Sequence, residues 1–253
     1  MTAFVPLQKS ANPPGNRLKG QRLLVTGAAG GLGQTLCEQA AEAGAELVLL
    51  DRKLEALEAL HDRIEAAGHG QPALYPLDLL GAGPDDHVEL AQRLEEAMGG
   101  IDGLVHAAAD VGEPAPLELY DPETWLRTLH GNLNGAFLMI RACLPLLRRS
   151  AGRIVVISDH CGRAGTSAMG AYSVSKWGLE GLVQLIAAES SAANPVAACS
   201  VDPGVMRTAL RRTAYAGEMA DEAPPPDAAA AAILPLLDPA EPIINGGQYS
   251  VTP

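Results

Sequence analysis

Tyr172 and Lys176, in the segment YSVSK, stand four residues apart. In a helix that spacing puts both on one face, about 6 Å apart along the axis. A free phenol has a pKa near ~10 and is a poor base at neutral pH. An ammonium beside it lowers that value by roughly 1–3 units, and a positively charged nicotinamide ring would lower it further. The pair can then move a proton on or off a substrate oxygen while hydride is exchanged with a nicotinamide cofactor. The same spacing also arises on plain surface helices, so a nucleotide site must be found elsewhere in the chain.

TGAAGGLG, residues 26–33, supplies the candidate. Gly27, Gly31 and Gly33 sit between an apolar run and a helical pattern. Gly27 permits a tight turn, and Gly31 and Gly33 permit close approach of backbone and ligand. The amides at the helix start, including that of Leu32, then face a pyrophosphate with the favourable end of the helix dipole. A second apolar run ends at Asp51, 24 residues after Gly27. A carboxylate there accepts from ribose hydroxyls and repels a 2′-phosphate, which favours NAD over NADP. Arg52 follows and is placed to serve a phosphate instead. A third run ends at Asp78-Leu79, where Asp78 either accepts from an adenine amino group or caps the next turn.

Six short apolar runs read as buried parallel strands: 22–27, 45–51, 72–78, 102–107, 152–158 and 195–201. Helical patterns separate them. One runs from Leu32 to Ala43 and stops at Gly44. Another carries Leu54, Leu57, Leu60 and Ile64 and ends at Gly68. A longer one begins Asp121-Pro122-Glu123, an N-cap followed by proline, with Trp125, Leu129 and Leu133 on one face. Strand and helix in alternation predict an α/β fold: a Rossmann-type, doubly wound parallel sheet in three layers, with ligands at the carboxyl ends of the strands. Residues 20–253 are expected as a single domain after a loose arm at 1–19. A segment near 206–227 is expected to cover the cleft, and its Arg207, Arg211 and Arg212 either attract an acidic substrate or form a solvated face.

Of the 253 residues 47% are hydrophobic, enough for a sizeable core, and 4% are aromatic, so Ala, Leu, Val and Ile must build it. A net charge of −12 without a basic cluster argues against a nucleic-acid partner. No apolar run approaches the ~18 residues of a membrane span. Cys37, Cys143, Cys161 and Cys199 form no C-x-x-C pair, which predicts a reduced, cytoplasmic protein without structural metal.

TGAAGGLG, Asp78-Leu79, Asn132, YSVSK and PGVMRT (203–208) together, in this order, resemble the short-chain dehydrogenase/reductase family over roughly residues 20–250. The resemblance implies an oxidoreductase that interconverts an alcohol and a carbonyl compound with NAD(H) or NADP(H), usually as a homodimer or homotetramer. It makes Tyr172 the general acid/base. Lys176 would hold the nicotinamide ribose, and Asn132 would fix a water on a proton relay. Pro203, Gly204 and Thr208 would line the nicotinamide side. Two positions depart from the pattern. His106-Ala107-Ala108-Ala109 stands where the family has an Asn-rich turn ending in Ala-Gly. Small residues still admit a cofactor, but Ala109 cannot take a glycine-only conformation, and His106 reads as a packed or capping residue.

The family's catalytic serine lies thirteen residues before the tyrosine; here that residue is Asp159. Neighbours on a strand point to opposite faces, so Ser158 substitutes only if the chain bulges. An ionised Asp159 donates no hydrogen bond, repels a developing alkoxide and raises the pKa of Tyr172. A protonated one would donate as the serine does. Three readings follow: a working oxidoreductase, a dinucleotide-binding sensor or partner subunit with little catalysis, and a structural module without nucleotide.

Overall fold

A computed structural model of the chain describes residues 4–7, 15–215, 217 and 223–251. Its elements run β1 (Val5–Leu7), β2 (Arg22–Thr26), α1 (Gly31–Glu42), β3 (Glu46–Asp51), α2 (Leu54–Ala66), β4 (Ala73–Pro76), α3 (Pro84–Met98) and β5 (Gly103–His106). There follow α4 (Pro122–Leu129), α5 (Gly135–Arg149), β6 (Arg153–Ile157), α6 (Gly170–Glu189), β7 (Ala197–Asp202), α7 (Ala209–Ala214), α8 (Asp227–Ile233) and β8 (Gly247–Val251).

The strands form one sheet in the order β1-β8-β7-β6-β5-β2-β3-β4, with every pairing parallel. Alternation along the strands feeds two cores. Leu23, Val25, Val105, Val155 and Ile157 face α1, α2 and α8, while Leu24, Leu104, Ile154 and Val156 face α3, α5 and α6. Both faces are covered, which is why the central strands read as unbroken apolar runs. After β2 the chain goes to β3 and β4 on one side, then returns to β5 on the other. The crevice at that reversal opens beyond the carboxyl ends of β2 and β5.

The sequence misses the edge strands. Val5–Leu7, expected in a loose arm, pairs with Tyr249–Val251. Neither β1 nor β8 is a long apolar run: β1 has three residues, and β8, GQYSV, alternates buried and half-buried positions. Their pairing is fixed by tertiary contact. Leu18 is also buried, and its amide donates to Ala43 O at 3.0 Å.

The helix expected from Asp121 is not continuous. Asp121 does cap it, accepting from Thr124 N at 2.7 Å ahead of Pro122. At His130–Asn134 the chain widens into a π turn before α5 begins. Trp125, Leu129 and Leu133 are only half-buried, and the buried positions are Thr124, Thr128 and Asn132. Single π turns inside helices are frequent at functional sites.

All four cysteines are free and buried. Among the described residues no helix is long and apolar enough to cross a membrane.

Candidate active site

One cleft of about 390 Å³ lies at the sheet reversal, and each residue singled out above as catalytic or cofactor-binding lines it. Its phosphate end is the β2–α1 turn. Gly27 has φ +69°, and a Cβ there would lie 2.6 Å from Ala108 N. At Gly33 a Cβ would lie 2.0 Å from Gly27 O, and at Gly31 2.9 Å from Thr208 Cγ2. Gly31 and Gly33 were expected to make room for a ligand; the closest contacts they spare are with the protein's own chain. The N-cap, Gly30, contributes no side-chain bond, and the first turn of α1 has no acidic residue. The amides of Gly31, Leu32 and Gly33 therefore start a helix with nothing capping it, facing the cleft, and this donor set fits a diphosphate.

Asp51 closes β3 at the adenosine end. Its two oxygens accept from Ala29 N and Lys53 N, each at 3.2 Å. Arg52 and Lys53 line the same end of the cleft. Of the two readings of Asp78, the structure contains the cap: Oδ1 accepts from Leu80 N at 3.1 Å. Leu79 is buried and packs in the core between α3 and α5.

Ala107, Ala108 and Ala109 floor the cleft after β5. Ala109 needs no glycine conformation, since among the described residues only Ala151 and Ala168 combine a side chain with positive φ. His106 is fully buried, its Nδ1 2.9 Å from Thr26 Oγ1, and it ties the two central strands together. Burial, then the charges of Lys176 and His87, pushes its pKa down to about 3.

At the other end Tyr172, on α6, donates its phenolic proton to Asp159 Oδ2 at 3.1 Å. Asp159 Oδ1 accepts from Cys161 N at 2.9 Å. Ser158 makes no bond to the tyrosine. Its amide donates to Val201 O at 2.7 Å, which keeps strand geometry, and its buried Oγ lies against Gly162 on the Glu180 side. The chain does not bulge, so the aspartate takes the place beside the phenol.

Lys176 is buried, its Nζ donating to Ile157 O at 2.7 Å and standing 5.4 Å from the centre of the Tyr172 ring. Burial lowers its pKa, and the charge of Asp159 opposes that. The expected acidification of Tyr172 by Lys176 is not what dominates here. Burial, and next Asp159, raise the phenol well above its ordinary value. The ammonium lies over the ring, while the carboxylate at the hydroxyl adds to the effect of burial.

Asn132 sits in the π turn. Its Oδ1 accepts from Asp110 N at 2.8 Å, and its Nδ2 donates to Asp110 O at 2.7 Å and to Ser175 Oγ at 3.2 Å. It pins the loop after β5 to α6. Asp110, Ser175 and the carbonyl of Ile157 were not anticipated. Two of the three act through backbone atoms, which carry no mark in the sequence; Ser175 stood inside YSVSK and could have been read.

Pro203 and Gly204 line the cleft after β7. Thr208 caps α7, accepting from Arg211 N at 3.1 Å. Met206 and residues 208–211 and 213–215 lie along the cleft, and Arg207 N donates to Pro224 O at 2.8 Å. Positions 216 and 218–222 of the expected covering segment lie outside the described residues. Tyr172 shares a small apolar cluster with Val111, Cys161 and Met169, flanked by Leu210 and Tyr215.

The family model described as short chain dehydrogenase matches residues 21–219. The uncharacterized oxidoreductase YciK of Escherichia coli (strain K12) is 34% identical over 207 residues, 81% of each chain. A Pseudomonas syringae structure, solved as a candidate short chain dehydrogenase, superposes with a TM-score of 0.92 at 39% identity, covering 96% of this chain and 98% of that one. A structure from Escherichia coli CFT073, complexed with NADPH, gives 0.90 at 31% identity, with 94% and 99% covered. With the sheet order, the uncapped glycine turn and the tyrosine–lysine pair, these matches place the chain in the short-chain dehydrogenase family, an oxidoreductase family that uses NAD(P).

Proposed function

We propose that the protein is an NAD(P)-dependent oxidoreductase in which Tyr172 is the general acid/base. The observation that carries this is the convergence, in one cleft, of the uncapped α1 terminus and the Tyr172–Lys176 face of α6. A bound nicotinamide would supply or accept the hydride. Tyr172 would give or take the proton at the substrate heteroatom, and burial keeps the phenol protonated, in its acid form. Lys176, held by Ile157 O, is placed for a ribose hydroxyl. Asn132 keeps the loop after β5 and the catalytic helix in register. Val111, Met169 and Leu210 offer an apolar wall to a small or medium substrate.

The choice of nucleotide turns on Asp51. The CFT073 neighbour's NADPH favours NADP(H) over the NAD expected from sequence. Both Asp51 oxygens are already engaged by loop amides, and Arg52 and Lys53 beside it suit a 2′-phosphate. The Asp51 charge opposes that phosphate. Titration of the purified protein with both nucleotides decides between them.

A second reading, a dinucleotide-binding protein with little catalysis, has one observation in its favour: the phenolic proton is committed to Asp159. It predicts saturable nucleotide binding without turnover. Turnover abolished by Tyr172→Phe, with nucleotide affinity retained, supports the enzyme and rejects the sensor. Absence of any nucleotide binding would reject both.

Exposed Phe137 on α5 and Val174, Trp177 and Leu185 on α6 support self-association through those helices. The four buried thiols accord with a reducing, cytoplasmic setting.

A further inference from the structure

We propose that the reacting bond of the substrate is carbon–nitrogen, a protonated imine reduced to an amine or the reverse, because Asp159 and Tyr172 present hydrogen-bond acceptors where a carbonyl oxygen needs donors. This rests on the oxidoreductase reading above and names its substrate class.

The donor inventory around the phenol is short. The single Tyr172 hydroxyl proton goes to Asp159 Oδ2 at 3.1 Å. Both Asn132 amide protons are used, on Asp110 O and Ser175 Oγ. Ser158 Oγ, buried beside Gly162, makes no bond to Tyr172 or Asp159. Asp159 accepts at both oxygens, from Tyr172 and from Cys161 N.

A ketone has only lone pairs to offer, and its oxygen gains negative charge as hydride arrives. Beside Asp159 it meets a like charge, and it must first take the phenolic proton away from that carboxylate. A protonated imine is complementary in both respects. Its N–H can donate to Asp159 or to the Tyr172 oxygen, and its positive charge is attracted by the carboxylate, which also favours the protonated, reactive form.

The balance is simple. The iminium substrate, a carbon doubly bonded to a protonated nitrogen, gains one hydride from the reduced nicotinamide. The carbon–nitrogen π bond breaks, a carbon–hydrogen bond forms, and the π pair becomes the lone pair of the neutral secondary amine. Only after the hydride has moved does that lone pair take a proton from Tyr172, which solvent then restores, whereas a ketone oxygen needs the proton as its charge builds during the hydride step. The imine's own proton comes from solvent before the hydride step.

The test uses the whole chain with reduced nucleotide. 2-Methyl-1-pyrroline is compared with cyclopentanone by absorbance, and pyrrolidine with cyclopentanol by calorimetric binding in the presence of oxidised nucleotide. The expected result is kcat/KM for the imine roughly 10- to 100-fold above that for the ketone, the range of one charge-assisted hydrogen bond. Pyrrolidine should bind and cyclopentanol should not. Asp159→Ser and Asp159→Asn both keep an acceptor for Cys161 N, and whichever folds with unchanged nucleotide affinity should lose the imine preference and pyrrolidine binding. Ketone turnover by the wild type with the imine inert would overturn this proposal and leave the oxidoreductase reading standing. Neither substrate turned over by wild type or variants would overturn both. Imine preference surviving in the variants would remove Asp159 from the explanation and overturn the proposal.

Discussion

Tyr172 and Asp159 share one hydrogen bond of 3.1 Å in the lining of the cleft. The phenol donates and the carboxylate accepts, so the negative charge lies against the group that would have to become negative on ionising. After burial, that charge is the next largest cause of the raised Tyr172 pKa. Replacing Asp159 by asparagine keeps the shape and removes the charge. Ionisation of Tyr172, followed by tyrosinate absorbance against pH and corrected with Tyr172→Phe, should move to lower pH in Asp159→Asn. An unmoved titration would mean the carboxylate is screened from the phenol.

Asp51 is expected to govern nucleotide choice. Asp51→Ala removes a carboxylate, so NADP affinity should rise and NAD affinity should fall, each by roughly 10-fold. Dissociation constants for the two nucleotides measured side by side check this. Equal changes in both would assign Asp51 to loop structure alone, through Ala29 and Lys53.

Asn132→Ala should loosen the loop after β5. It deletes the two bonds to the backbone of Asp110, an exposed residue whose amide and carbonyl water can then reach, and the buried bond to Ser175. At about 1 kcal/mol per hydrogen bond, and less where water takes over, the expected loss of stability is about 2 kcal/mol, read by denaturant titration. Activity should fall with it. Lost activity without lost stability would point instead to a direct role in proton transfer.

His106 makes the fold acid-sensitive. Its folded pKa, about 3, lies below the 6.5 of the free side chain. The unfolded chain therefore binds more protons between those values. The His106 contribution is intact above pH 6.5 and is lost as pH falls toward 3, at up to about 1.4 kcal/mol per pH unit. His106→Asn retains a partner for Thr26 and does not titrate. Its stability curve should be flatter than wild type over that window and parallel to it above pH 7.

Arg163 and Glu180 form a buried ion pair, Nε to Oε1 at 2.7 Å, with side-chain exposures of 4% and 6%. Arg163 also donates to Tyr249 O, Ser250 Oγ and Ser200 Oγ, so the pair ties the loop after Asp159 to α6, β7 and β8. Glu180→Gln leaves the guanidinium charge without its partner and should cost about 3–5 kcal/mol. The double change Arg163→Met with Glu180→Gln should cost less than Glu180→Gln alone, as thermal and chemical unfolding would show.

Much of this protein is legible in its sequence because the signals are local. A strand covered on both faces must be apolar throughout, so RLLVT and RIVVI announce themselves. A turn that needs φ +69° calls for glycine, so Gly27 does too. The four-residue spacing of Tyr172 and Lys176 sets them on one helical face wherever the helix lies. Tertiary structure alone decided the rest. Three-residue β1 has no pattern of its own and exists because β8 offers it an edge. The π turn that buries Asn132 contains Gly131 and is followed by Gly135, yet glycine alone does not announce a π turn, and the partners Asn132 finds there, Asp110 and Ser175, are distant in sequence. Ser158 and Asp159 are adjacent and both polar, and only the unbroken pairing of β6 with β7 determines which one faces the tyrosine. The direction of the Tyr172 shift was likewise beyond the sequence, because it depends first on how deeply the fold buries the phenol and then on the carboxylate of Asp159 lying at its hydroxyl.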